Sequence, residues 1–121
     1  MIRKLTILIL LIGLLCSCET SNYKQNLLQR KLVKHTWIMT SYVDNSVNEQ
    51  MDVTETTFEF CDDGSLLKTL YDGTAYDLSW SFYDEAEYLI IGDNTFKINT
   101  LTNRLLGVSY GEVDIFFVPV D

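Results

Sequence analysis

The sequence predicts an all-β domain, a small eight-stranded antiparallel up-and-down barrel preceded by one N-terminal helix. Three observations predict it. From Trp37 onward apolar residues recur with period two, the repeat of a strand that is dry on one side. The apolar runs are short, and clusters of Gly, Asp and Asn that favour tight turns separate them. The segment just before them carries its leucines at helical spacing instead.

Residues 1–17 read as a lipoprotein signal peptide. Arg3 and Lys4 precede an apolar run, Leu5 to Leu15, at the length of a signal core and short of the ~20 residues a membrane-spanning helix needs. Two cysteines follow. Cys16 has the bulky Leu15 beside it, whereas Leu15-Cys16-Ser17-Cys18 resembles the lipobox, an aliphatic residue and two small ones before a cysteine. That resemblance implies cleavage before Cys18, a diacylglycerol thioether on its thiol and acylation of its freed amine. At ~0.8 kcal/mol per buried methylene, two or three acyl chains hold a protein on a membrane essentially permanently. The expected location is the outer membrane, lipid-anchored, on the periplasmic face or at the cell surface; an ordinary secreted protein is the alternative. With Cys16 removed and Cys18 acylated, Cys61 stands alone and no intramolecular disulfide forms. Without lipidation, a bridge from Cys18 to Cys61 is the other arrangement open to the chain.

Residues 18–22 then form a short lipidated tether, and residues 23–34 the helix. Asn22, with Gln25 three residues on, reads as its start. Leu27, Leu28, Leu32 and Val33 make one stripe, and Lys24, Arg30, Lys31 and Lys34 lie mostly elsewhere. Such a helix is expected to cap an open end of the barrel or to pack on its outside.

The barrel, residues 35–121, is expected to hold strands near 36–42, 54–60, 66–71, 75–83, 88–91, 95–99, 104–109 and 113–118. The clearest is Tyr76-Asp77-Leu78-Ser79-Trp80-Ser81-Phe82, whose aromatic and leucine side chains share one face and whose polar ones share the other. Turn chemistry separates the strands: Asp62-Asp63-Gly64-Ser65, Asp72-Gly73, Tyr83 to Glu87, Gly92-Asp93-Asn94, Leu101-Thr102-Asn103 and Tyr110-Gly111. Connections this short join antiparallel neighbours, and a run of sequential hairpins with one apolar face closes into a barrel that leaves no exposed edge. The single proline, Pro119, follows the last expected pairing, where a missing donor does least harm.

Several positions together resemble the lipocalin-like domains of exported bacterial lipoproteins of the Bacteroidota type. They are Trp37 at the start of the first strand, Phe58-x-Phe60-x-x-Asp63-Gly64, Trp80 two hairpins on, Tyr88-Leu89-Ile90-Ile91, Phe96-x-Ile98-x-x-Leu101-Thr102 and Leu105-Leu106. The resemblance covers roughly residues 30 to 118 and implies the same barrel. It departs from the lipocalin hallmark at His35, where glycine would stand two residues before the tryptophan, and in lacking an arginine after the last strand.

Charge narrows the function. The chain carries −8 at pH 7, and from His35 onward its only bases are Lys68, Lys97 and Arg104. Such a surface repels nucleic acid, which is excluded as a partner. The basic residues before His35 lie next to the anchor, where they meet phosphate headgroups or fold against the acidic barrel. Catalysis lacks its groups: His35 is the only histidine, and the acids fall in turns that explain them without a metal. No enzyme, metal or cofactor is expected.

A small ligand is the better expectation. An eight-stranded barrel can be filled by its own side chains or hold one small molecule. The expected inward set is Trp37, Phe58, Phe60, Tyr76, Trp80, Phe82 and Phe96, which either line a cavity or fill the core. The leading expectation is a membrane-anchored lipoprotein that binds a small apolar or amphipathic ligand in the cell envelope. The alternative is a solid barrel that serves an envelope complex through protein contacts.

Overall fold

The computed structural model describes residues 23–51 and 53–120. Cys18 and the tether lie outside the described residues. Residues 23–34 form the expected helix, α1. Nine strands follow: β1 (Thr36–Asp44), β2 (Glu49–Met51), β3 (Thr57–Phe60), β4 (Ser65–Thr69), β5 (Ala75–Tyr83), β6 (Tyr88–Ile91), β7 (Asn94–Leu101), β8 (Leu106–Tyr110) and β9 (Val113–Pro119). No helix among the described residues is long and apolar enough to cross a membrane.

The strands form one closed antiparallel barrel. From β3 to β9 each strand pairs with the next in sequence, and β9 returns to β1 along a register from Trp37↔Pro119 to Asp44↔Val113. The ring has eight positions because β2 and β3 share one. The first residues of β1 pair with β3 (Trp37↔Phe58), and its last pair with β2 (Val43↔Gln50). The sequence gives no sign of β2, since all three of its residues are exposed and no alternation marks them. A local device makes it: Asp44 Oδ1 accepts from both Ser46 N (3.0 Å) and Ser46 Oγ (2.6 Å), and Asn48 adopts φ 54° to complete the reversal.

Elsewhere the expected strands hold, with ends displaced where a turn takes residues from them. The strand expected over 66–71 is β4, Ser65–Thr69, because Leu70 begins a turn in which its N–H donates to Thr74 O and its carbonyl accepts from Gly73 N. The strand expected over 104–109 starts later, at Leu106, because Thr102 Oγ1 accepts from the N–H groups of Arg104 and Leu105. Two bulges bend the sheet, between Met39 and Ser41 in β1 and between Ile98 and Thr100 in β7. Each shifts the alternation by one residue, so that Tyr42 and Leu101 turn inward behind Met39 and Ile98. On the outer face Gly107 lets Phe116 of β9 lie flat: a Cβ there would meet Phe116 Cε1 and Thr100 Cγ2, each at 2.9 Å.

The two ends of the barrel differ. The start of β1, the end of β3 and the β3–β4, β5–β6 and β7–β8 turns lie at one end, and α1 closes it. Leu32 of α1 is fully buried, its carbonyl accepts from Trp37 Nε1 (2.8 Å), and Gln29 Nε2 donates to Asp62 Oδ1 in the β3–β4 turn (2.6 Å). The helix therefore caps the barrel. The expected stripe holds at Leu28, Leu32 and Val33, while Leu27 lies at its margin, 40% exposed. Above this cap, Trp37, Phe60, Leu66, Leu89 and Leu106 form the most densely buried layer.

Candidate ligand-binding cavity

At the end opposite α1, the strands enclose a cavity of about 510 Å³, within the range of small-molecule sites. Its floor is Phe58, Ile115 and Phe117, which separate it from the packed layer below. Its walls are Met39 and Tyr42 of β1, Leu78 of β5, Ile91 of β6 and Phe96 of β7. Asp93, Asn94 and Tyr110, all exposed, stand at the mouth. The lining is apolar apart from the tyrosine hydroxyls, the turn groups at the rim and one interior cation, Lys68 of β4.

The aromatic residues expected inside divide between filling and lining. Trp37, Phe60 and Trp80 are filling. Trp80 is 7% exposed, its Nε1 donates to Cys61 O at 2.8 Å, and its ring meets Phe60 and Phe82 edge-on at 5.6 and 5.3 Å. Phe82 is half-buried against Trp80 and does not reach the cavity. Phe58 and Phe96 do line it. Phe58 belongs to both regions, with its ring edge-on to Phe117 at 5.1 Å.

Tyr76 corrects the expectation: it is neither core nor lining but 48% exposed. The register explains why. Residues 75–79 of β5 pair with β4, and only from Trp80↔Ile91 does β6 join on the other side. Tyr76 thus shares the face of Leu78 but has a strand on one side only, above the level at which the ring is complete. Of the exposed large apolar side chains among the described residues, Val47, Met51, Tyr71, Tyr76 and Tyr110 lie at this end and Tyr23, Leu27, Tyr83 and Val120 at the other.

Of the lining residues, Leu78 stands on the face that the sequence already marks as dry, and Met39 and Lys68 could have been found in the same way and were not. Met39 follows from period two, counted from Trp37. Lys68 follows in the same way from Leu66, because Leu66 and Lys68 share a face of β4 while Leu67 and Thr69 share the other. Ile91 and Tyr110 are strand ends whose role depends on which strands stand opposite. Cys61 is half-buried and unbridged, in the turn whose carbonyl Trp80 holds. His35, next to the cap, sets its ring edge-on to Trp37 at 5.5 Å. Among the described residues no three His, Cys, Asp or Glu side chains converge on a metal-sized site.

Two solved structures share this architecture. A lipocalin-like protein from Bacteroides uniformis is similar with a TM-score of 0.58 at 17% identity, over 74% of this chain and 98% of its own. A protein from Bacteroides eggerthii is similar with a TM-score of 0.57 at 16% identity, over 70% of this chain and 97% of its own. The fold is lipocalin-like. No protein-family model matches the sequence, and no curated protein does. At these identities the likeness speaks for the barrel and not for what the barrel holds. In this lipocalin-like barrel, one end is capped and packed and the other is open and hollow.

Proposed function

We propose that the protein binds a small apolar or amphipathic molecule, noncovalently, in the open half of its barrel, and that it does so while anchored to the outer membrane by lipid on Cys18. The observation that carries the binding reading is the cavity of about 510 Å³ above a packed floor. A barrel of this strand number can fill itself with side chains, and here the filling stops halfway. The cavity is apolar, so a ligand gains by removing its own apolar surface from water, at roughly 25 cal/mol per Å² before the costs of ordering it. The anchor rests on the sequence around Cys18.

Native mass spectrometry tests the binding. The protein, purified gently from the envelope of a bacterium that produces it, is weighed in native and denaturing conditions. Covalent acyl chains persist in both spectra, so an excess lost on denaturation is the cavity's occupant, and its mass identifies it. If there is no excess, and added lipophilic molecules produce none, the cavity reading fails. A second reading then takes its place: Val47, Met51, Tyr71, Tyr76 and Tyr110, exposed around the open end, form an apolar rim suited to an envelope protein.

A further inference from the structure

The strongest departure from barrel patterning is Lys68. It stands on the inward face of β4, where Leu66 precedes it, and it lines the cavity among Met39, Phe58 and Leu78. Its ammonium lies 5.7 Å from the centroid of the Phe58 ring, a cation–π arrangement that holds it over the cavity floor. Among the described residues it makes no ion pair and its ammonium donates no hydrogen bond. Packing does not explain it, because a leucine or methionine would serve an apolar wall better. Nor does solubility, since the protein is strongly acidic and Lys68 is one of only three bases after His35. A local rule broken in this way marks a functional position.

We propose that the cavity selects an amphipathic anion, with its carboxylate, sulfate or phosphate group against Lys68 Nζ and its apolar part along Met39, Leu78 and Phe96. This rests on the reading of the cavity as a ligand site and assigns the ligand's chemistry. An acidic group supplies what the ammonium lacks, a charged acceptor, and a charge-assisted bond in a partly dry site is about twice as strong as a neutral one. Among the described residues Asp93 is the one carboxylate that lines the cavity, and it stands at the exposed mouth, where water and salt screen it. Lys68 is set deeper, beside the buried Phe58. The acidic exterior slows the approach of an anion, and the contact at Lys68 governs its retention.

The test compares head groups on one chain. The full-length protein, carried in discs of zwitterionic lipid with empty discs as the reference, is titrated calorimetrically with octanoate, octanol and octylammonium. The proposal expects octanoate to bind about tenfold or more tighter than octanol. In Lys68→Met that preference of octanoate over octanol disappears, and Lys68→Arg restores it. Equal binding of octanoate and octanol, or a preference that survives Lys68→Met, overturns the proposal and leaves the cavity standing as a neutral site. A preference for octylammonium also overturns it and assigns the selectivity to the acidic rim. If none of the three binds, the cavity reading itself fails, and the proposal with it. The comparison within the wild-type protein decides the matter even if a variant proves unstable.

Discussion

Trp80 shows what a single residue does in this barrel. Its ring fills the space between Phe60 and Phe82, its indole N–H is bonded to Cys61 O, and it takes no part in the cavity. Truncation would open a void in the packed half and remove one of the two hydrogen bonds that Cys61 O accepts, leaving the one from Gly64 N–H. Trp80→Ala should therefore cost about 3–5 kcal/mol, a large share of the stability of a domain this size. A urea denaturation curve checks it; a loss below about 1 kcal/mol would mean that the ring lines a hollow after all. Sequence alone left Trp80 with the same two roles as Phe58 and Phe96. Alternation says which face a residue occupies but not what stands across the barrel from it. Lys68 makes the same point in reverse: its face was legible from Leu66, but its place in an apolar cavity depends on β1, β3 and β5.

Among the elements, the turns carry the most local information. Asp63-Gly64-Ser65 and Asp72-Gly73-Thr74 are built alike. Asp63 Oδ1 accepts from Ser65 N and Ser65 Oγ, and Asp72 Oδ1 accepts from Thr74 N. The Ser65 hydroxyl, followed by its backbone N–H, holds the Asp63 carboxyl below its ordinary value of 3.8, and the Thr74 N–H does the same for Asp72. A carboxyl whose folded value is depressed contributes its stability in full above the unfolded value. It loses that contribution as the pH falls through the folded one. The urea midpoint should thus fall between about pH 5 and about pH 2, and the double variant Asp63→Asn, Asp72→Asn should show a shallower fall. An unchanged acid slope would assign the loss to other groups. Both turns were legible because a side chain two residues away makes them. The turn at residues 84–87 was harder to read for its form: Asp84, Glu85 and Ala86 all take positive φ, from 55° to 66°, without a glycine. Short β2 was not legible at all, since three exposed residues pair only because β1 extends past β3 to meet them.

For the whole molecule, the decisive feature is polarity from end to end. The chain enters at the capped end, where α1 lies across the packed layer, and the cavity opens at the other. Cys18→Ala should release the protein from washed membranes into the soluble fraction and remove the acyl mass from the mature chain, with the barrel still folded. Retention of both membrane association and acyl mass would exclude Cys18 as the anchor. By itself the sequence determined the helix, the eight barrel positions, their direction and nearly all of their turns, because each depends on period, capping and side chains a few residues apart. Only the tertiary structure decided that the barrel is filled at one end and hollow at the other. That outcome depends on the register of closure between β1 and β9, on two bulges that shift the inward face, and on the side chains that meet across the barrel from strands distant in the chain.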